Sequence, residues 1–223
     1  MVLPERPVFR AASEMVSMED CMETMLTLHG GYCEGLQNLS RKVCKGVWRR
    51  GMNHSSDTMQ YMKLGIISDT HEHIDNIEKA KKVFAERGAS PIIHLGDYCA
   101  GPAIRAFKGT KIIGIYGNND GDLLRIEKNF REIGGDFRWD FCVLEFDGLK
   151  IACYHGTVPQ ITEALINCKT YDVVLTGHTH ESHVETRNGV LAINPGSAHG
   201  FEKKGSVAIL DTKTKRVEVS ELQ

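Results

Sequence analysis

From residue 62 onward the chain repeats one device: a short apolar run rich in β-branched residues, ended by a polar cluster that often contains glycine. KLGIIS (63–68), PIIHL (91–95), KIIGIY (111–116) and DVVLT (172–176) are such runs. Each is too short for a buried helix, and the absence of polar alternation predicts strands covered on both faces. Helical spacing appears between and after them. DNIEKAKKVFAERG (75–88) sets Ile77, Ala80, Val83 and Phe84 on one stripe, and GPAIRAF (101–107), DLLRIEKNFREIG (122–134) and TEALINC (162–168) read the same way. Two hairpins are signalled, FCVLEFDGLKIACYH (141–155) turning at Asp147-Gly148 and HVETRNGVLAIN (183–194) turning at Asn188-Gly189. SVAILDTKTKRVEVSEL (206–222) alternates like an edge hairpin. Together these predict an α/β fold with mixed sheets, two packed sheets flanked by helices.

The residues that end the runs are chemically alike. Asp69 and His71 follow the first in SDTHEH, Asp97 follows the second in GDY, and Asn118 follows the third in GNND. His155 ends the hairpin strand in YHG, and His178 and His180 follow the next in TGHTH. Ligands of open α/β sheets bind at the carboxyl edge of the strands, where the loops leave room. One histidine in a loop is ordinarily polar surface or part of a hydrogen-bond network; seven donors at five strand ends point to metal. Oxygen and imidazole nitrogen suit borderline divalent ions, and no thiolate closes a structural zinc site. A single four-coordinate ion would leave three donors idle. Two ions about 3.5–4 Å apart need a shared carboxylate such as Asp97. Gly96, Gly117, Gly156 and Gly177 beside these donors allow close backbone approach.

The order D-x-H, G-D, G-N-x-D, H-G and G-H-x-H resembles the calcineurin-like metallophosphoesterase superfamily, in particular its small YfcE-type prokaryotic phosphodiesterases, over about 62–212. The resemblance implies a four-layer αββα sandwich of two mixed β-sheets flanked by helices. It implies that Asp69, His71 and His180 hold one divalent metal, that Asn118, His155 and His178 hold the other, and that Asp97 bridges them. Manganese is the first expectation, with Ni, Zn, Fe or Mg as alternatives. The implied reaction is hydrolysis of a small phosphodiester by a hydroxide between the two metals.

One position departs from the family pattern. Many members carry histidine after the motif asparagine, placed to protonate the leaving group, whereas this chain has Asn119. His73, two residues beyond His71, is the nearest candidate acid, and Asp120 is expected to orient hydrogen bonds around the site. Asn119 and Ser197 of NPGSAHG (194–200) are candidate substrate contacts, although Asn194-Pro195-Gly196 also reads as a turn that supports the site. Phosphomonoesterase or nuclease activity, or a scaffold like the retromer subunit of this fold, remain alternatives. A nuclease calls for a basic groove, and 20 Lys and Arg against 22 Asp and Glu in 62–223 predict no strong nucleic-acid surface.

Composition divides the chain. All 8 methionines lie in the first 62 positions. Residues 1–61 are expected to be an extension, weakly ordered or forming short helices near 15–28 and 34–49, with the functional domain at 62–223. The extension reads either as a partner-binding element or as a tail, and a start placed too far upstream would leave the same mark. No run of 18 apolar residues and no apolar leader segment occurs, so no membrane association is expected. Seven cysteines without regular spacing suit reduced thiols and a cytoplasmic setting. A homo-oligomer is compatible with this composition.

Overall fold

Strand and helix ends in the computed structural model, which describes residues 61–201 and 203–223, follow local capping chemistry. The helices expected near 15–28 and 34–49 lie outside the described residues. Helix α1 (Ile74–Arg87) starts where the His73 ring accepts the Asn76 N–H, and it stops at Gly88, whose φ of 64° suits the left-handed cap. Helix α2 (Gly101–Arg105) has proline in its first turn, α3 (Leu123–Ile133) is capped by the Asp122 side chain, and α4 begins at Pro159 and runs to Asn167.

The strands are β1 (Lys63–Ile67), β2 (Ala89–His94), β3 (Ile112–Gly114), β4 (Asp136–Phe137), β5 (Phe141–Phe146) and β6 (Leu149–Tyr154). Then come β7 (Val173–Leu175), β8 (Ser182–Arg187), β9 (Val190–Pro195), β10 (Ser206–Asp211) and β11 (Val217–Glu221). They form two sheets, ordered β11-β10-β1-β2-β3-β4 and β5-β6-β7-β9-β8. The first is parallel from β1 to β4 and antiparallel at β10 and β11. In the second, β6, β7 and β9 run parallel between the antiparallel edges β5 and β8. Both hairpin turns have two residues at positive φ, Asp147 and Gly148 at 52° and 81°, Asn188 and Gly189 at 56° and 85°, as a tight primed turn requires.

Three apolar clusters define four layers. Ile77, Ala80 and Phe84 of α1, with Ile104 of α2 and Ile126 and Phe130 of α3, pack on one face of the first sheet. Leu64, Ile66, Ile93, Ile151, Val173 and Ile193 fill the space between the sheets. Ile166 of α4 meets Ala152, Val174 and Ala192 on the outer face of the second sheet. Each valine, leucine, isoleucine or phenylalanine among them contributes about 1.5–3 kcal/mol on burial. The resulting order is helix, sheet, sheet, helix.

Some expectations differ from this arrangement. The run 111–116 is strand only at 112–114, because Tyr116 already leaves the ladder to donate its N–H to the Trp139 carbonyl at 2.8 Å. The last hairpin has only β11 at an edge; β10 lies between β11 and β1, and its buried run VAIL replaces alternation. β4 has two residues, too few for any periodic signal. Among the described residues no helix is long and apolar enough to cross a membrane.

Candidate metal centre

Both sheets end at the same place. Asp69 and His71 follow β1, Asp97 follows β2 and Asn118 follows β3, all from the first sheet; His155 follows β6, and His178 and His180 follow β7, from the second. The loops interlock through backbone bonds: Asp69 N–H donates to Gly96 O at 3.0 Å, His71 N–H to Asp97 O at 3.1 Å, and Gly177 N–H to His155 O at 2.8 Å. Five of the seven donors sit at positive φ, namely Asp69 at 54°, His71 at 39°, Asp97 at 60°, His178 at 68° and His180 at 59°. For a residue other than glycine this conformation costs about 1–3 kcal/mol and persists only where the surroundings impose it. Glycine is required at 117 for a different reason: a Cβ there would fall 2.1 Å from Asp97 Oδ1.

Ligand atoms of Asp69, His71, Asp97 and His180 all lie within 4.8 Å of one another. Asp69 Oδ1 and His71 Nε2 are buried and have no hydrogen-bond partner. They lie 4.0 Å apart, with His180 Nε2 3.2 Å from the same Asp69 oxygen and Asp97 Oδ2 3.6 Å from His71 Nε2. The other oxygen of Asp97 turns to the second group, 3.5 Å from His155 Nε2. His155 donates through Nδ1 to the Leu95 carbonyl at 2.7 Å, which turns Nε2 into the site, where it donates to Asp97 when the ring is charged and presents a lone pair when the ring is neutral. Nε2 also faces Asn118 Oδ1 at 3.0 Å, and the His178 ring lies 5.3 Å from that of His155. Acceptors converge on two adjoining points, an arrangement that suits cations.

The charges agree with this geometry. Burial by itself would raise the Asp97 pKa, but hydrogen bonds from His155 and from the Asn119 backbone and amide outweigh it and hold the carboxyl far below its usual range. For His155, burial opposes the charged form, yet the hydrogen bond and charge of Asp97 and the charge of Asp69 prevail and raise its pKa.

The remaining candidates surround this core. Asn119 turns to Asp97, its backbone N–H reaching Oδ1 at 2.9 Å and its amide Oδ2 at 2.8 Å. Buried Asp120 accepts four backbone N–H groups, from Asp97 at 2.9 Å and Gly117 at 2.8 Å on Oδ2, and from Tyr98 at 2.8 Å and Cys99 at 2.9 Å on Oδ1. Ser197 is also buried; its hydroxyl donates to Asp69 O at 3.0 Å and accepts the Gly200 N–H at 3.3 Å. His73 accepts the Asn76 N–H on Nδ1, which leaves the proton of its neutral ring on Nε2, and its ring lies 5.3 Å from that of His199.

Two contributors, His94 and Phe201, were not anticipated, and Asn194, expected in a supporting turn, acts through its side chain. His94, wholly buried, accepts the Gly96 N–H on Nδ1 at 3.2 Å and faces Thr70 Oγ1 at 3.1 Å with Nε2. Burial holds its pKa well down against the charge of Asp97, so a neutral imidazole ties the first two loops together. Its one signal was a polar residue inside PIIHL. Asn194 donates its amide to Gly177 O at 2.7 Å and Thr179 Oγ1 at 3.1 Å, which fixes the loop carrying His178 and His180. Phe201 stacks on His180 with ring centroids 4.6 Å apart.

The chain is similar to known proteins in sequence and fold. A sequence model of the calcineurin-like phosphoesterase superfamily domain matches residues 62–215. A phosphodiesterase of Methanocaldococcus jannaschii is 39% identical over 158 residues, 69% of this chain and 95% of its own. The phosphodiesterase YfcE of Escherichia coli K12 is 28% identical over 151 residues, 61% of this chain and 79% of its own. Among solved structures, a novel archaeal phosphodiesterase superposes with a TM-score of 0.69 at 37% identity, over 72% of this chain and 100% of that one. A vacuolar protein sorting protein of Cryptosporidium parvum, at 19% identity and a TM-score of 0.51 over 72% of this chain and 96% of its own, shares the fold.

Proposed function

The chain belongs to the calcineurin-like phosphoesterase superfamily, and from that membership we propose how its site works as a metal-dependent phosphoric diester hydrolase. Asp69, His71 and His180 would hold one divalent cation, Asn118, His155 and His178 would hold a second, and Asp97 would serve both. The observation that carries this reading is the pair of buried, partnerless atoms Asp69 Oδ1 and His71 Nε2 beside Asp97 and His180. Each would cost about 1–3 kcal/mol if left unsatisfied, and one cation satisfies both. When bound, the two cations lower the pKa of a water and neutralise charge gathering on the phosphoryl group.

The chain's own residues set the geometry. Asp97 offers one oxygen to each half of the site, held between them by Asn119. His155 is locked in one tautomer by Leu95 O. Asp120 fixes the backbone of the Asp97 and Gly117 loops, and Ser197 supports the Asp69 loop from beneath. Asn119 has no proton to give a leaving alcohol, so that step is dispensable for acidic leaving groups or falls to His73, which can give a proton from Nε2 only as an imidazolium, with Nδ1 released from the Asn76 N–H.

Manganese is the cation we assign first, since carboxylates, an amide and imidazoles form a borderline donor set. The cysteine pattern supports a cytoplasmic setting. The test is to strip the protein of metal and assay bis(p-nitrophenyl) phosphate and p-nitrophenyl phosphate with Mn, Ni, Zn, Fe and Mg in turn. Diester hydrolysis restored by manganese is expected; faster turnover of the monoester with every metal would overturn the reading.

A further inference from the structure

The β5–β6 hairpin sets two cysteines face to face. Cys142 and Cys153 are register partners in its antiparallel ladder, and both are free thiols. The turn at Asp147-Gly148 fixes that register, because a slip of one residue would turn every inward side chain outward. Both cysteines belong to the apolar space between the sheets, where Leu144 and Ile151 form the next inward pair. Directly opposed residues of an antiparallel ladder have Cα atoms about 4.5–5.5 Å apart, within the roughly 4.4–6.8 Å that a disulfide spans. The Cys153 thiol donates to the Cys142 sulfur, and this bond lowers the Cys142 pKa against the effect of burial. The other two free cysteines among the described residues are engaged elsewhere: Cys99 Sγ lies 3.1 Å from His71 Nδ1, and Cys168 Sγ donates to Leu165 O at 3.1 Å.

Access differs between the partners. Cys153 is wholly buried, whereas Cys142 is half-buried on β5, an edge strand. We propose that the pair is a reversible modification site, at which a low-molecular-weight disulfide oxidises the two thiols to a cross-strand disulfide that staples β5 to β6. Cys142, as the thiolate, attacks one sulfur of the small disulfide. A mixed disulfide forms, and the first small thiol leaves and takes up the proton that Cys142 gave up. The Cys153 sulfur then attacks the Cys142 sulfur, and its proton passes to the second small thiol as that departs. Two protein thiols thus become one disulfide, and one small disulfide becomes two small thiols. In a reducing compartment such bonds are transient and redox-sensing, which suits a chain whose cysteines lack the spacing of a permanent disulfide framework. β6 runs straight on into His155, so the staple grips the strand that carries a candidate metal ligand.

The test incubates the folded full chain with oxidised glutathione, blocks the remaining thiols with N-ethylmaleimide and digests with trypsin. Peptide 139–150, which holds Cys142, should appear linked to peptide 151–169, which holds Cys153, and dithiothreitol should release both. Cys168→Ser removes the second cysteine of the latter peptide and should leave the link in place. Cys153→Ala should stop the reaction at a glutathione adduct on Cys142, and Cys142→Ser should leave Cys153 free of glutathione. The closed loop is short, so the oxidised chain should melt about 5–10 °C above the reduced one. The proposal is overturned if the linked peptides are absent or form only in urea. It is overturned equally if glutathione adds to Cys153 in Cys142→Ser, or if the oxidised chain melts no higher than the reduced one. Should a core variant fail to fold, the wild-type and Cys168→Ser chains carry the decision by themselves.

Discussion

Asp120→Asn separates a loop-holding carboxylate from a reacting one. Asp120 accepts four backbone N–H groups, two on each oxygen, and it is buried. Asparagine keeps one acceptor and places an NH₂ against the other pair of donors, so two buried N–H groups lose their partner. Hydrogen bonds to a charged acceptor contribute about 1.5–3 kcal/mol each, giving a loss of about 3–6 kcal/mol. Part of it is recovered. Burial, together with the charge of Asp97, raises the Asp120 pKa against its backbone donors, so removing this charge relieves an unfavourable term. A net destabilisation of about 2–4 kcal/mol follows, or about 4–16 °C in Tm for a domain of this size. The assay is urea and thermal unfolding of wild type and Asp120→Asn, metal-stripped and metal-loaded, alongside metal content. Metal affinity should fall as well, because the same N–H groups position Asp97. A variant as stable as wild type whose kcat drops a hundredfold would refute this account and make Asp120 a participant in the reaction.

Other consequences follow from the same geometry. Asp97→Asn should reduce binding of both metals, whereas His180→Ala should weaken one; two tightly held ions per chain in Asp97→Asn, counted by elemental analysis, would refute the bridge. Asn119→His places an acid where the amide now meets Asp97, and it should raise turnover of poor leaving groups by up to about 10²–10⁴-fold. A series of aryl diesters of graded leaving-group pKa checks this, an unchanged slope counting against it. Asp172 accepts the Lys150 N–H and the Lys215 ammonium, each at 3.0 Å, and these lower its pKa. A folded pKa below the unfolded value, about 3.9, gives stability that is present above that value and lost as pH falls through the lower folded one. The side chain is 39% exposed, so the difference between wild type and Asp172→Asn should be under about 1 kcal/mol, steady near neutrality and shrinking below about pH 4 in urea titrations. A difference that grows on acidification would contradict the assignment.

Much of the site was legible because its donors sit where local signals change. Asp69, Asp97, Asn118, His155 and His178 each close a short apolar run, and a buried parallel strand has to end in a loop at the sheet edge. The hairpins were legible for a similar reason, since Asp-Gly and Asn-Gly favour the positive φ that a two-residue turn demands. Element ends were less so, as at 115–116 and in α4, which starts at Pro159 rather than at Thr162. There the outcome depends on which distant carbonyl or apolar face is within reach.

By itself, the sequence determined the kind of layers, the order of the donor residues and their oxygen and nitrogen chemistry, because periodicity and residue type are local properties. Tertiary structure alone decided the rest. Nothing near residue 94 in the chain says that one polar residue in PIIHL will bond to Thr70 and Gly96 rather than weaken a strand. No local rule predicts that Asp120 will gather N–H groups from a loop more than twenty residues earlier, or that Ser197 will turn inward to Asp69. Five of the candidate donors hold a disfavoured φ because two sheets packed face to face bring their loops into mutual hydrogen bonds. Phe201 meets His180 for the same reason: the end of β7 and the loop after β9 become neighbours only when β7 and β9 pair in parallel.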